Sequence, residues 1–288
     1  KGEGPGEFSS ISGLGVRPDN ILWMYDSFQK RLSLFSPEGE LISTVTSREY
    51  ISPLMTYDST LIGREMSMTF SIGEDDEEKR SEKINIYDYS LSKTADVGTF
   101  PTYTFGEPIE AGEGRFVMFS IPFSPRSIYT GHRKTETFYH MATSDYIITC
   151  YNANGILKRR IHRPYEKIPL TEEEKRKEVE RQFANSDVPI NTNKILNDLE
   201  FPAVKDIAAA LRTDTRGNLW VQTREQKSVK GLTLTAWDIF DTKGYYLTRI
   251  WTDKKPEVFK DGKMYTKEED EETGLVSIVR YAVEWVEE

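Results

Sequence analysis

The alternation of hydrophobic and polar residues along the chain predicts short β-strands separated by tight turns. The clearest run is residues 19–45, where three alternating segments are divided by a polar turn and by residues 36–39, Ser-Pro-Glu-Gly. Pro early and Gly late in four residues are typical of a β-turn. Together with a short apolar segment at residues 11–16, this run predicts a four-stranded meander.

The same turn recurs along the chain, which predicts an array of similar units. Residues 35–39, 151–155 and 240–244 each read aromatic, then Ser, Asn or Asp, two variable residues, and Gly. We interpret residues 89–93 as a degenerate fourth copy with Lys93 in the glycine place. In each copy the aromatic residue ends a strand, the small polar residue starts the turn, and glycine takes the positive φ. About five strand groups recur at intervals of roughly 45–60 residues, which favours an all-β fold, a β-propeller of four-stranded blades, over a pair of β-sandwiches.

Residues 165–203 interrupt this rhythm and predict a short helical insert. The segment 171–183 has the strongest helix pattern in the chain, because Thr171 and Glu174 have the spacing of a capping box and acidic residues precede basic ones. Residues 191–199 predict a second helical turn. The apolar stripe of the first helix is narrow, so we expect a surface helix laid across the array.

Composition and charge narrow the classes of function. The chain has 288 residues, 37% of them hydrophobic, which is enough for a sizeable core in one domain spanning residues 1–288. The net charge of −9 argues against binding to nucleic acid and against general electrostatic binding to anionic lipid. No apolar run approaches about 18 residues, so we expect no transmembrane span. The lone Cys150 lies in an alternating strand pattern and is interpreted as a buried thiol.

Several of these segments together resemble a known family. Residues 2–8 (Gly-Glu-Gly-Pro-Gly-Glu-Phe), the 19–45 pattern, residues 146–163 and residues 217–221 (Gly-Asn-Leu-Trp-Val) are similar to NHL-like six-bladed propeller proteins of bacterial envelopes, nearest to a largely uncharacterised group among them. The resemblance implies six blades, with one blade or its strands upstream of Lys1 or assembled from both termini. It also implies an extracytoplasmic location, periplasmic or membrane-associated, and often a lipid-anchored precursor. It implies no particular activity, because propellers host many functions.

Four basic residues form the candidate contact site for a protein partner or an anion: Arg126, His132, Arg133 and His140. They lie in an aromatic-rich segment of an acidic protein, and the two histidines flank a predicted hairpin across which they could meet. The alternative interpretation is that all four are ordinary surface-loop residues. A zinc site needs a third ligand, and the sequence offers none beside the histidines.

No catalytic spacing stands out in the sequence. The acidic runs 74–78 and 268–272 lack the Asp-x-Asp-x-Asp-Gly spacing of a calcium loop, and neither a Gly-x-Ser-x-Gly elbow nor a P-loop is present. The tryptophans lie in predicted strands, where blade packing is the simpler role than a ligand cage.

We therefore expect a non-enzymatic binding or scaffolding propeller, an extrinsic subunit of a larger envelope protein complex, without catalytic residues, metal or cofactor. Two alternatives stay open. One is a divalent-cation-dependent hydrolase or lyase that uses the axial cavity of the propeller. The other is a lectin-like propeller that binds a sugar or a peptide through its aromatic residues.

Overall fold

A computed structural model describes residues 2, 4, 6–17, 19–57, 59–65, 81–106, 108–110, 116–117, 120–184, 191–270 and 273–285. These residues form antiparallel sheets that follow one another along the chain, and each of the five larger sheets is called a blade. The first blade contains β1 (Ile11–Val16), β2 (Leu22–Asp26), β3 (Arg31–Phe35) and β4 (Leu41–Thr46). The second blade contains β5 (Ile51–Thr56), β6 (Thr60–Glu65), β7 (Ser81–Asp88) and β8 (Lys93–Pro101).

The chain then passes through a small pair, β9 (Ile109–Glu110) and β10 (Phe116–Val117), into the third blade. The third blade contains β11 (Ser127–His132), β12 (Thr137–Ala142), β13 (Ile147–Asn152) and β14 (Leu157–His162). Two helices follow, α1 (Glu172–Phe183) and α2 (Thr192–Asp198). The fourth blade contains β15 (Ala208–Thr213), β16 (Leu219–Val229), β17 (Leu232–Phe240) and β18 (Tyr246–Thr252). The fifth blade has three strands, β19 (Val258–Lys260), β20 (Lys263–Glu269) and β21 (Val276–Ala282).

The described residues thus form five blades and not the six that the family resemblance implied. Strand groups counted along the sequence predict five, whereas the sixth came only from the family resemblance. The β9–β10 pair is not a blade between the second and the third, because β5 and β11 pack directly beside each other. The predicted charged loop at 73–82 lies outside the described residues as far as residue 80, and its last two residues begin β7.

The repeated turn has the predicted geometry in its three clear copies. The side-chain oxygen of Ser36, Asn152 or Asp241 accepts hydrogen bonds from the backbone N–H groups two and four residues later, at 2.8–3.3 Å. The glycine that closes each copy has φ between 75° and 93°. A side chain that satisfies its own turn in this way makes the turn stable without help from the rest of the fold.

The fourth copy of the turn lies two residues before the predicted position. Asp88, not Ser90, is the acceptor, and it binds the N–H groups of Ser90 and Ser92 at 2.8 and 3.0 Å. Leu91 takes the glycine place with φ 60°. Its side chain is buried in the cluster between the first two blades, so packing there holds a backbone conformation that Leu rarely adopts.

Hydrophobic clusters fill the spaces between consecutive blades. Trp23 and Tyr25 belong to the cluster between the first two blades, and Ile84 and Phe138 to the cluster between the second and third. Cys150 is buried between the third and fourth blades, as predicted. Trp220 and Trp237 pack between the fourth and fifth blades, with Phe259 and Trp285 against them. Burial of these side chains between sheets is the main source of stability in such an array.

Strand direction decides which loops share a face of the molecule. Within each four-stranded blade the connections from first to second and from third to fourth strand lie at one end, here called the turn face. Connections between blades lie at the opposite end, here called the helix face, because α1 and α2 follow the end of β14. The predicted helix is confirmed with its capping box. The Thr171 hydroxyl accepts a hydrogen bond from the Glu174 N–H, and the Glu174 carboxylate accepts one from the Thr171 N–H.

Candidate functional site

A cavity of about 290 Å³ opens on the helix face between α1 and the fourth blade. One wall is the side of α1, and the other is formed by residues of β15, β16 and β17 with Phe123 at one end. We call this cavity the insert groove. Its charged lining residues are Glu174, Lys177, Glu178, Arg181, Lys205 and Arg224.

The helical insert is anchored firmly enough to serve as a wall. Val179 of α1 and Ile195 of α2 are buried against each other, with partly buried aromatic and aliphatic side chains around them. Gln182 donates a hydrogen bond to the carbonyl oxygen of Ser120 at 3.2 Å. A bridge between Pro169 and Val204 closes the insert at its base. The groove is therefore a built feature of the fold and not a gap beside a loose loop.

Two ion pairs fix the floor of the groove. Arg224 binds Asp206 through two hydrogen bonds, at 2.7 and 3.1 Å, and the Asp206 side chain is fully buried. Lys205 binds Glu174, which joins the fourth blade to the first turn of α1. Burial alone would raise the pKa of Glu174, but hydrogen bonds from Lys205 and Thr171 hold it below its ordinary value. Opening the Arg224 pair would leave the buried charge of Asp206 without a partner, so this pair stays closed, whereas Glu174 is a third exposed.

The cations at the rim of the groove are more exposed than those of its floor. Lys177 and Arg181 are about 70% exposed, with side-chain values of 72% and 70%. Among the described residues each pairs with a neighbour on the same helix: Lys177 with Glu173 at 2.7 Å, and Arg181 with Glu178 through two hydrogen bonds, at 2.9 and 2.5 Å. Surface ion pairs contribute little, so Lys177 can turn to an incoming carboxylate at small cost. Arg181 is held by two hydrogen bonds to Glu178 and must share its guanidinium group with that residue.

A second charged network lies close to the groove, between the third and fourth blades. Asp238 is fully buried, accepts two hydrogen bonds from Arg249 at 2.7 and 3.0 Å, and accepts one from Tyr146 at 2.8 Å. Arg163 pairs with the same carboxylate at 3.3 Å. Arg249 also reaches Glu225 at 2.5 Å, one residue from Arg224 of the groove. Burial, reinforced by the charge of Asp238, raises the pKa of Tyr146.

The structure separates the four predicted contact residues. His132 pairs with Thr137 in the β11–β12 ladder, whereas His140 pairs with Tyr129, so the two histidines do not face each other. His132 lies half-buried at the turn face, and Arg126 precedes β11 at the helix face.

Each of the four has its own surroundings. Arg133 is exposed in the hairpin loop. Arg126 lies over the Tyr103 ring and donates to the carbonyl oxygen of Ala209 at 3.4 Å. His140 is buried, so its place is in the core and not on a surface loop. Their role in binding a partner or an anion stays a prediction, for Arg126 and Arg133 above all.

His140 is the most unusual of these groups. Its Nε2 lies 3.0 Å from the Ser127 hydroxyl, its ring is 4.0 Å from the Phe100 ring, and its Nδ1 has no hydrogen-bond partner within the described structure. Burial lowers the pKa of His140 to about 4, so the ring is neutral at physiological pH. Because Ser127 and His140 are both buried, this pair belongs to the core and is closed to a substrate.

Sequence reasoning missed the residues that build the insert groove. Lys205 and Asp206 stand next to each other just before an apolar strand, and Arg224 follows the alternating segment 219–223. Charged residues just before one strand and an arginine within the strand that pairs with it are a usable signal, but only once the pairing of β15 with β16 is known. No three metal-ligating side chains come together among the residues that the structure describes. In that same part of the chain no helix is long and apolar enough to cross a membrane.

Comparison with known proteins turns up matches in structure only. No protein-family model matches the chain, and neither does any curated protein. A member of the DUF4221 family from Bacteroides vulgatus superposes with a TM-score of 0.51 at 9% identity, covering 92% of this chain and 75% of that chain. A candidate exported protein of Bacteroides fragilis gives 0.46 at 13% identity, covering 93% and 68%. Streptogramin B lyase gives 0.38 at 10% identity, covering 96% and 84%.

The fold is a β-propeller. Identities this low show the fold alone, so NHL membership stays a prediction. The proteins that share this propeller architecture have varied functions, and the chemistry has to be argued from the residues of this chain.

Proposed function

We propose that this propeller is a non-enzymatic binding and scaffolding module whose insert groove receives an acidic segment of a partner protein. The observation that carries the proposal is the contrast within the groove. The floor is locked by the Asp206–Arg224 pair, while Lys177 and Arg181 at the rim are exposed and bind carboxylates of their own helix. A fixed floor with exchangeable cations above it suits recognition of carboxylates.

The hydrogen-bond partners of the buried carboxylates also support a binding function over a catalytic one. Five carboxylates are buried among the described residues: Asp206, Asp238 and Glu82 bind arginines, and Asp26 and Asp214 accept hydrogen bonds from backbone N–H groups. A general acid or base needs a free proton site within reach of a substrate, and buried carboxylates that are engaged in this way do not supply one. The extracytoplasmic location and the membership in an envelope complex rest on the family resemblance, and the lipid anchor does too.

Copurification from native membranes tests this proposal. The tagged protein is recovered with its stoichiometric partners, and the variant Lys177→Glu/Arg181→Glu is compared with Lys167→Glu/Lys194→Glu. The control carries the same charge change on exposed cations of the insert that do not line the groove. We expect the groove variant to recover the partner about tenfold less well, while the control recovers it normally.

Two results would overturn the proposal. One is equal recovery with both variants. The other is turnover of a substrate by the purified protein that stops when a chelator removes divalent cations, which would favour the hydrolase or lyase alternative.

A further inference from the structure

The outer edge of the third blade carries a surface that the insert groove does not explain. Strand β14 is the last strand of its sheet, so one of its edges has no strand partner in that sheet. Its sequence with the next residue is Leu-Lys-Arg-Arg-Ile-His-Arg, which has cations at 158, 159, 160 and 163 and no acidic residue. The protein as a whole has 47 acidic and 38 basic side chains, so this strand reverses the local charge.

Large apolar side chains are exposed beside these cations at the turn face. Ile156 is 63% exposed and Tyr245 is 70% exposed, and their neighbours Leu157, Tyr246 and Leu247 are exposed too. These residues directly follow the turn glycines of the third and fourth blades. We call these five apolar residues, together with Lys158, Arg159 and Arg160, the rim patch.

The two halves of the rim patch are joined by direct contacts. Arg159 donates to the carbonyl oxygens of Thr242 and Lys243, at 2.5 and 3.1 Å, in the turn of the fourth blade. The guanidinium group of Arg163 lies 3.9 Å from the centre of the Tyr246 ring. The apolar residues after the two turns therefore belong to one continuous surface.

The cations of β14 have no acidic partner among the residues that the structure describes. None of the ion pairs among the described residues includes Lys158, Arg159 or Arg160. The outer strands of the other complete blades differ: β4 has no charged residue, Lys93 of β8 pairs with Asp96, and Arg249 of β18 pairs with Asp238. Only β14 among these strands combines a free edge with unpaired positive charge.

We infer that the rim patch is a docking surface for an acidic protein segment that carries aromatic or aliphatic side chains. Backbone groups of such a segment pair with the free edge of β14, its carboxylates meet the exposed Lys158 and Arg160, and its apolar residues cover Ile156 and Tyr245. Strand addition at a sheet edge supplies affinity through the backbone and specificity through alternate side chains. Tyr and Arg are also the residues that dominate binding energy at protein interfaces.

A simpler role for charged residues on an edge strand is to prevent sheets of different molecules from pairing. That role explains lysines and arginines, but it gives no reason for five large apolar side chains exposed beside them. The two roles predict different effects of replacing these cations with Glu. An edge strand that only has to avoid pairing is still protected by negative charges, whereas a docking surface for an acidic segment loses its binding.

Fluorescence anisotropy with a synthetic peptide tests the inference, which rests on the proposed binding function but uses a separate surface. The probe is a peptide in which Asp and Glu alternate with Leu and Tyr, and the comparison probe has Lys at every acidic position. We expect the acidic peptide to bind the full chain and the lysine peptide not to bind. The variants Lys158→Glu/Arg160→Glu and Ile156→Ala/Tyr245→Ala should each weaken binding at least about tenfold.

The control variant Lys260→Glu/Lys267→Glu reverses two exposed cations of the fifth blade and should bind normally. Unchanged thermal unfolding of every variant shows that folding is intact. Equal affinity of the rim and control variants would overturn the inference. A second contrary result is that the protein binds vesicles of phosphatidylserine and phosphatidylcholine but not the acidic peptide, and that the same rim variants abolish vesicle binding. If the groove variant Lys177→Glu/Arg181→Glu loses the peptide and the rim variants keep it, the rim patch is wrong and the proposed function stands.

Discussion

The third blade meets the second blade through aromatic rings and meets the fourth blade through a buried carboxylate. On the side of the second blade, Phe100 lies against His140, and Tyr129 stacks on Phe138 with ring centres 5.6 Å apart. On the side of the fourth blade, Asp238 gathers Tyr146 and two arginines around one carboxylate. Both interfaces contain a buried, paired carboxylate, Glu82 in the first and Asp238 in the second. The first adds a buried neutral histidine, and the second places more charged partners around its carboxylate. The two should therefore respond differently to mutation and to pH.

The largest effect is expected at the charged interface. Replacing Asp238 with Ala leaves Arg249 and Arg163 facing each other without their shared carboxylate, and Tyr146 without its acceptor. Breaking a buried pair in this way costs about 3–5 kcal/mol in the free energy of unfolding. Chemical denaturation measures it, with Asp96→Ala as the matched control, because Asp96 is 73% exposed. A loss below about 1 kcal/mol would show that the network does not hold the blades together.

A pH effect is expected at the aromatic interface. The pKa of His140 is about 4 in the folded protein and 6.5 in its ordinary state, so the unfolded chain takes up a proton first. Stability from this group is complete above pH 6.5 and is lost as the pH falls towards 4, by about 3 kcal/mol. Denaturation curves at several pH values should show this loss for the wild type, and the variant His140→Gln should lack that part of it.

His162 supplies the control for the pH experiment, because it is exposed on β14. The variant His162→Gln should keep the full pH dependence of the wild type. Identical pH profiles for His140→Gln and the wild type would mean that the buried ring does not control acid stability.

The smallest effect is expected from removing one hydroxyl on either side of the third blade. Tyr129 donates to Glu82 at 2.5 Å and Tyr146 donates to Asp238 at 2.8 Å. A hydrogen bond to a charged group contributes about 1.5–3 kcal/mol. Tyr129→Phe should fall in the upper part of that range, since Glu82 then keeps only Arg64, and Tyr146→Phe in the lower part, since Asp238 keeps two arginines. The reverse order in urea denaturation would contradict the account of both networks.

The repeat explains how much of this fold could be read from the sequence. Alternation and the turn copies predicted the blades, since each copy is a local structure whose hydrogen bonds lie within five residues. The capping box predicted α1 for the same reason. The fourth turn was misplaced by two residues because Leu91 occupies the glycine position, and only its burial between blades makes that backbone acceptable.

The candidate sites were harder to predict because they depend on distant contacts. Asp206 and Arg224 are 18 residues apart, and Arg159 meets the turn at 242–243 more than 80 residues away. The histidines were grouped by closeness in sequence, but the register of β11 and β12 places one at the turn face and the other in the core. Pairing register and burial, which decide both results, are set by the whole sheet and not by local pattern.

The repeated turns also determine what the turn face can offer to a neighbour. In each copy the side-chain oxygen takes two backbone N–H groups, and the carbonyl of the same residue takes the N–H of the residue in the glycine place, as in Gly39 to Ser36 and Gly244 to Asp241. Most of the amides are thus engaged within the turn, while the carbonyl oxygens of Thr242 and Lys243 accept from another blade, so the turn of the fourth blade suits a donor better than an anion. Arg159 of the third blade is such a donor, because it forms hydrogen bonds with two carbonyl oxygens of the turn in the fourth blade. We therefore expect an anion on this face to be bound by side chains, while the backbone carbonyl oxygens there bind arginine.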